Sequence, residues 1–236
     1  MNLLQSIFSV GFASSVIRIT VPILLAALAA TMTSRAGVSN IGIEGTMSMT
    51  ALFAIIFSSL SGSLFVGVLG AVLIGILLSL FIGVFAYQLK TNIILCGIAV
   101  NMLGQGGAVM FLYMFTGAKS DTASLGAFSL PTLFNNIPII GGHSVLTYIA
   151  FLLVIVVYIL LYKTPLGVRI RAVGENPNAA DSVGVSVNKI RYLSLALCGA
   201  IAGLSGAYMS MSYMSMFSKG MIAGRGFIAL AAEAMG

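Results

Sequence analysis

The segment KTPLGVRIRAVGENPNAADSVGVSVNKIR, from Lys163 to Arg191, is the one long polar stretch in this chain of 236 residues. It holds five of the eleven lysines and arginines, and strongly apolar sequence borders it on both sides. Membrane proteins keep loops that are rich in lysine and arginine on the cytoplasmic side. The segment is therefore expected to lie in the cytoplasm and to set the orientation of the spans around it.

A short helix is predicted inside this polar segment. Asn176 suits the N-cap position, Pro177 suits the first helical position, and Gly184 suits the residue just past the end. The pattern predicts about two turns, from Pro177 to Val183. A helix this short is marginal by itself in water. It is either supported by the membrane bundle or a partner, or is a solvated connector.

The composition is that of a polytopic membrane protein. Hydrophobic residues make up 59% of the chain and charged residues 7%, whereas soluble domains are about 25% charged. The net charge of +6 comes from residues beside the apolar runs. Membrane orientation explains it better than phosphate binding, so no nucleic-acid partner is expected.

Six membrane spans are predicted, because about 20 apolar residues cross a bilayer as a helix. They lie near Val16–Thr33, Ile43–Leu60, Leu64–Tyr87, Asn92–Thr116, Val145–Tyr162 and Tyr192–Phe217. A seventh span begins near Gly226 and is cut off at Gly236. The predicted fold is an all-α transmembrane helical bundle that forms one domain over 1–236, incomplete at its C-terminus, with a cytoplasmic loop at 163–191.

Alternation of the spans places the N-terminus outside. The basic residues then divide into seven inside (Arg35, Lys90, Lys163, Arg169, Arg171, Lys189 and Arg191) and four outside (Arg18, Lys119, Lys219 and Arg225).

Two stripes of small residues predict close helix contacts. Ala71, Gly75, Ser79 and Gly83 recur every four residues in the third span, and a GxxxG pair, Gly199 and Gly203, lies in the sixth. Small residues let helix backbones approach each other in a membrane. The stripes therefore indicate a compact bundle.

Polar residues inside the spans are the candidates for a translocation path. Glu44 begins the second span, where an ionised carboxylate costs a few kcal/mol. It either faces the path or binds backbone amides that a helix break leaves free. Asn101 and Gln105 are four residues apart and share a helix face, where their amides suit a neutral polar ligand or join helices. The predicted path residues are Asn40, Glu44, Asn101 and Gln105.

Three sequence blocks together resemble a known family. NIGIEG (40–45), TPLGVRIRAVGENPNAADSVGV (164–185) and GRGFIALA (224–231) occur in this order. They resemble the permease subunits of bacterial ABC importers for nucleosides and simple sugars. These subunits are akin to ribose permeases and, more distantly, to branched-chain amino-acid permeases.

The resemblance implies a passive transport subunit of the bacterial plasma membrane. Its partners would be a cytoplasmic ABC ATPase, a second permease subunit and an extracytoplasmic substrate-binding lipoprotein, within the lipid bilayer. No catalytic residue, cofactor or metal ion is expected in this chain, which also lacks a Gly-x4-Gly-Lys-Ser/Thr phosphate loop. The short helix would be the coupling helix, with Asn178 where many ABC permeases have glutamate. The coupling residues would be Gly174, Glu175, Asn176, Pro177, Ala179, Ala180 and Gly184.

Relatives of this kind continue through further spans after the GRGFIALA block.

Two other functions also fit parts of the sequence. An ion-coupled transporter would use Glu44 and Glu233 to carry protons. A rhomboid-like protease would use Ser205 in Gly203-Leu-Ser-Gly206 as its nucleophile, but it needs a histidine base on a nearby span. The one histidine, His143, is expected in a surface loop without a chemical role.

Overall fold

Nine α-helices make up most of the protein over the residues that the structure describes, 10–126, 128–133 and 141–236 of a computed structural model. Residues 1–9 of the predicted domain lie outside that description. The helices are α1 (Val10–Ser34), α2 (Ile43–Ser61), α3 (Leu64–Gly83), α4 (Ile93–Thr116), α5 (Val145–Lys163), α6 (Pro165–Glu175), α7 (Pro177–Ser182), α8 (Val187–Tyr208) and α9 (Arg225–Met235). Two short strands, β1 (Thr132–Leu133) and β2 (His143–Ser144), pair antiparallel.

Six of these helices, α1 to α5 and α8, are long and apolar enough to cross a membrane. The predicted all-α multi-span bundle is confirmed. In the most apolar window of each helix, 78% of the residues of α2 and 72% of those of α8 are buried, against at most 33% in the other four. Helices α2 and α8 therefore form the centre of the bundle, and the others surround them.

The sixth predicted span, 192–217, was wrong at both ends. Helix α8 starts five residues earlier, at Val187, and α-helical geometry ends at Tyr208, followed by a π-helical turn over Met209–Tyr213. The chain then leaves the helix until α9 begins at Arg225. Left-handed backbone at Ser215 and Ala223, with φ of 60° and 51°, marks this irregular segment. Helix continuation is impossible through such residues.

Helix α6 was not predicted, although it carries the same start signal as α7. The Thr164 hydroxyl accepts a hydrogen bond from the Gly167 N–H at 3.2 Å, and Pro165 occupies the first turn. Ile170 and Val173 are fully buried, so α6 packs against the bundle. Most of the 163–191 segment is therefore helix rather than loop.

The small stripes of the third and sixth predicted spans pack against each other, as α3 and α8. A Cβ placed on Gly75 would lie 3.1 Å from the carbonyl carbon of Gly199, and one on Gly203 would lie 2.9 Å from the Cα of Val72. Backbone therefore meets backbone along this contact. The predicted close approach is confirmed.

The two ends of the bundle can be told apart by their contacts. A Cβ on Gly37, just after α1, would lie 3.3 Å from the Cα of Gly174 in α6. We call this the loop end. Near the start of α1, the Arg18 guanidinium donates to the carbonyl oxygens of Ser212 and Tyr213 at 3.3 and 3.0 Å. We call this the far end.

At the far end, the connection after α4 is tied to the segment that precedes α9. Asp121 and Ser218 form an isolated β-bridge. The Asp121 carboxylate accepts hydrogen bonds from the Ala123 N–H at 3.0 Å and the Ser120 hydroxyl at 2.8 Å. These bonds hold the pKa of Asp121 below its ordinary value, with the Ala123 amide as the larger cause.

Replacing Gly199 by Leu is expected to destabilise the bundle, because the added side chain has to push α3 away from α8. Overpacking of a tight contact costs about 1–3 kcal/mol, which lowers the melting temperature of the protein in detergent. Gly106→Leu is the matched control, since a Cβ on Gly106 meets no atom within 4 Å. Equal melting temperatures of the two variants would contradict the contact.

Candidate functional site

Helix α2 begins inside the bundle and is capped by a side chain of another helix. The Gly45 N–H, in the first turn of α2, donates to the Asn101 Oδ1 at 2.7 Å. The Asn101 Nδ2 donates to the Ile41 carbonyl oxygen at 2.9 Å. Asn101 lies eight residues into α4, about 12 Å along that helix. The backbone groups freed at the start of α2 are thus satisfied within the protein.

Glycines make this cap possible by bringing α2 and α4 into backbone contact. A Cβ on Gly45 would lie 2.5 Å from the Cα of Asn101, and a Cβ on Gly97 would lie 3.0 Å from the Gly42 nitrogen. Gly42 is the N-cap residue of α2, and it has no side chain to cap with. The amide of Asn101 takes over that task.

The side chain of Asn40 also makes its contacts at the start of α2. Its Oδ1 accepts a hydrogen bond from the Gly42 N–H at 2.9 Å, and its Nδ2 lies 3.4 Å from the Cys198 Sγ. The side chain is 2% exposed. It braces the turn before α2 and does not reach open space.

Glu44 caps the start of α9. Its Oε1 accepts a hydrogen bond from the Gly224 N–H at 2.9 Å, and its Oε2 accepts one from the Gly226 N–H at 2.7 Å. Gly224 is the N-cap residue of α9. A carboxylate is favourable at a helix N-terminus, because it offsets the positive end of the helix dipole. Binding of backbone amides, one of the two hypotheses for Glu44, is the arrangement that the structure contains.

The same carboxylate lines a cavity of about 300 Å³ between α2, α4, α9 and the segment before α9, which we call the central cavity. Ser48 lies one turn after Glu44 on α2 and faces the same cavity, and Gln105 faces it from α4. Within the described part of the chain, the Ser48 hydroxyl and the Gln105 amide have no hydrogen-bond partner. Phe217, Lys219 and Phe227 complete the polar and aromatic wall.

The four predicted path residues therefore divide into two pairs. Glu44 and Gln105 line the cavity, whereas Asn40 and Asn101 bind backbone groups beside it. Sequence reasoning missed Ser48, Lys219 and the two phenylalanines. The spacing of four between Glu44 and Ser48 was the available signal for Ser48.

A second polar cavity, of about 580 Å³, lies at the loop end. Arg35, Arg171, Glu175 and Glu233 line it, together with Gly174. Glu233 belongs to α9, whose first turn touches Glu44. Helix α9 thus runs from the central cavity to the residues that precede α7.

Helix α7 has the predicted start and ends one residue before the predicted Val183, at Ser182. The Asn176 Oδ1 accepts a hydrogen bond from the Ala179 N–H at 3.1 Å, and Gly184 follows the helix with φ of 84°. Ala180 is 3% exposed and faces the bundle, whereas Val183 is 77% exposed. The exposed side of α7 is mostly polar, with Asn178, Asp181 and Ser182 beside Ala179, and the exposed apolar side chain of Val183 follows at its C-cap.

Two further residues have surroundings that the sequence did not predict. His143 is not a surface residue, since it lies in β2 and is 6% exposed, with its Nε2 3.5 Å from the Ser14 Oγ. The Ser205 hydroxyl is fully buried and donates to the Pro22 carbonyl oxygen at 2.8 Å. Ser205 therefore joins α8 to α1, and this arrangement does not support a protease nucleophile.

Comparison with known proteins identifies the group to which these features belong. Residues 12–236 match the family described as the permease component of branched-chain amino acid transport systems. A putative glucose ABC transporter permease protein of Haloferax volcanii is 32% identical over 234 residues, which cover 95% of this chain and 70% of the relative. No solved structure matches the chain.

The names of two other relatives mention nucleosides. The guanosine ABC transporter permease protein NupQ of Bacillus subtilis is 34% identical over 91% of this chain and 72% of its own length. The nucleoside ABC transporter permease protein NupC of Lactococcus lactis is 29% identical over the same shares of the two chains.

Replacing Asn101 by Ala is expected to destabilise the protein, because the Gly45 N–H and the Ile41 carbonyl oxygen both lose their partner. An unsatisfied buried polar group costs about 1–3 kcal/mol. Gln105→Ala, one turn further along α4, removes a similar side chain without a hydrogen bond. Thermal unfolding in detergent should show a lower midpoint for Asn101→Ala alone, and equal midpoints would refute the capping role.

Proposed function

Because the chain belongs to the family of permease components of branched-chain amino acid transport systems, we propose that it is the membrane-spanning subunit of an ATP-driven importer for nucleosides or simple sugars. Membership agrees with the resemblance of the three sequence blocks. The chain is a multi-pass membrane protein of the ABC transporter permease type. Its substrate, its partners and the roles of its residues are the content of the proposal.

The central cavity is the observation that carries the substrate assignment. It brings together a carboxylate, a hydroxyl and an amide, from Glu44, Ser48 and Gln105, among largely apolar helices. The amides of α9 already offset the charge of Glu44, so a neutral polar ligand suits the site. Nucleosides and simple sugars are such ligands, and the names of the relatives belong to the same classes.

The predicted path residues take two roles in this proposal. Glu44 and Gln105 contact the substrate as it passes. Asn40 and Asn101 hold the start of α2 in position, and with it the wall that carries Glu44.

Coupling to a separate ATPase is assigned to residues 174–184. The exposed surface of α7 combines polar side chains with Ala179 and the adjoining Val183, which is a suitable contact for a soluble partner. Gly174 packs against the Arg35 backbone, with a Cβ on Gly174 3.0 Å from the Arg35 carbonyl carbon. A displacement of α7 would therefore reach the connection between α1 and α2, which leads to Glu44.

The remaining partners follow from this role. A second permease subunit completes the membrane unit, and an extracytoplasmic binding protein delivers the substrate to the far end. The loop end then faces the cytoplasm, in agreement with the basic residues of the 163–191 segment. The protein is placed in the plasma membrane.

Replacing Val183 by Glu is expected to reduce ATP-driven uptake about tenfold, because a charge replaces the exposed apolar side chain at the end of α7 where the ATPase would bind. Uptake of labelled nucleoside and copurification of the ATPase are measured in cells that express the whole transporter. Ala180 is unsuitable for this test, since its substitution would disturb packing within the chain.

Thr91→Glu is the control for this test, since it adds the same charge to an exposed residue outside 174–184 and away from the far end. It should leave both uptake and ATPase recovery unchanged. Normal uptake and normal ATPase recovery with Val183→Glu would exclude α7 as the contact. Uptake that follows a proton gradient and persists without ATP would instead identify an ion-coupled transporter.

A further inference from the structure

We propose that the Glu44 carboxylate selects the ligand by accepting two adjacent hydrogen bonds from it, and that its ligand is a neutral molecule with two neighbouring donor groups. The inference rests on the proposed function, because it takes the central cavity as part of the substrate path. It adds the residue that discriminates between substrates and the chemical group that this residue recognises.

The Glu44 carboxylate has acceptor capacity that its bonds to α9 do not use. An ionised carboxylate offers about four lone-pair positions. The N–H groups of Gly224 and Gly226 occupy one position on each oxygen. One position therefore remains on each oxygen, and the two lie side by side. A carboxylate used in this way accepts two parallel hydrogen bonds, a geometry that gives both strength and specificity.

The Glu44 side chain cannot turn away from the cavity without losing its hydrogen bonds to the start of α9. Its two bonds to the start of α9 fix the position of both oxygens. Gly226 also packs against it, since a Cβ on that residue would lie 2.8 Å from the Glu44 Cα. The free lone pairs are thus held in place before a ligand arrives, which lowers the entropy cost of binding.

Polar and aromatic side chains surround these lone pairs in the cavity wall. Ser48 and Gln105 can each donate and accept, and neither is engaged by another described residue. Phe227 is 46% exposed and offers an aromatic face. The cavity of about 300 Å³ matches the lower end of small-molecule sites. The ligand accordingly has a polar edge with two donors and a flat apolar face.

Charge excludes the other ligand classes. Lys219 faces the same cavity and disfavours a cation, while the Glu44 carboxylate disfavours an anion. Two neutral donor pairs fit the remaining chemistry: the vicinal hydroxyls of a ribose, and the N1–H with the 2-amino group of a guanine base. Guanosine contains both pairs, so its analogues can tell them apart.

The experiment measures ATP-dependent uptake by the whole transporter, with its ATPase and binding protein, in proteoliposomes. Guanosine is compared with 2′-deoxyguanosine, which lacks one ribose hydroxyl, and with inosine, which lacks the 2-amino group. The affinity of the isolated binding protein for each compound is measured separately and divided out. We expect guanosine to exceed one of the two analogues by about 10- to 100-fold, the range for a hydrogen bond to a charged group.

The analogue that loses uptake identifies the donor pair: 2′-deoxyguanosine points to the ribose hydroxyls, and inosine to the base. Glu44→Gln should reduce the preference to less than about threefold, because an amide offers one acceptor oxygen instead of two. Gly106→Ala, at an open position of α4, should retain the full preference.

Two results would overturn the proposal. One is equal normalised uptake of all three compounds by the unmodified transporter, which needs no variant to fold. The other is an unchanged preference in Glu44→Gln. Failure of the proposed function looks different, since the unmodified transporter would then take up neither these three nucleosides nor a simple sugar such as ribose in response to ATP.

Discussion

Backbone amides and carbonyls inside a bilayer have no water to bind, so a helix that begins there needs partners from the protein itself. Two helices of this protein begin within the bundle, and each is capped by a neighbour. Asn101 of α4 caps α2, and Glu44 of α2 caps α9. The three helices form a series in which each positions the next. The central cavity lies along this series, so its shape depends on the caps.

Glycine makes these long-range caps geometrically possible. Where α4 meets α2 and where α9 meets Glu44, a side chain on the glycine would collide with the neighbouring backbone. Close contact brings polar groups of one helix within hydrogen-bond distance of the other. The contact between α3 and α8 uses the same means for packing alone. Small residues therefore serve two purposes here, and only the polar side chain beside them distinguishes the two.

The sequence predicted the parts of the fold that depend on local chemistry. The six spans followed from apolar length, and α7 followed from Asn176, Pro177 and Gly184. Helix α6 has an equivalent start at Thr164 and Pro165, but the apolar run before it obscured the signal. The end of α8 was missed because residues 209–217 remain apolar after the regular helix stops.

The candidate site could be predicted only in part, for a physical reason. A carboxylate in an apolar span needs hydrogen-bond partners or a charged neighbour, and this requirement singled out Glu44 from the sequence. Its partners are backbone amides, which have no sequence signature, and the first lies 180 residues away. Residues of ordinary type, such as Ser48 and Phe227, gain their meaning only from the cavity that they share. His143 shows the reverse case, a distinctive residue whose burial no local pattern revealed.

The cap on α9 also bears on how the protein is made. Synthesis proceeds from the N-terminus, so α2 enters the membrane long before the ribosome reaches Gly224. During that interval Glu44 is without the amides that stabilise it in the finished bundle, and an unpaired carboxylate in the bilayer costs a few kcal/mol. The nascent protein thus carries an incomplete centre until a late segment arrives. During biogenesis, α2 therefore gains the partners of its buried carboxylate only when α9 has been made.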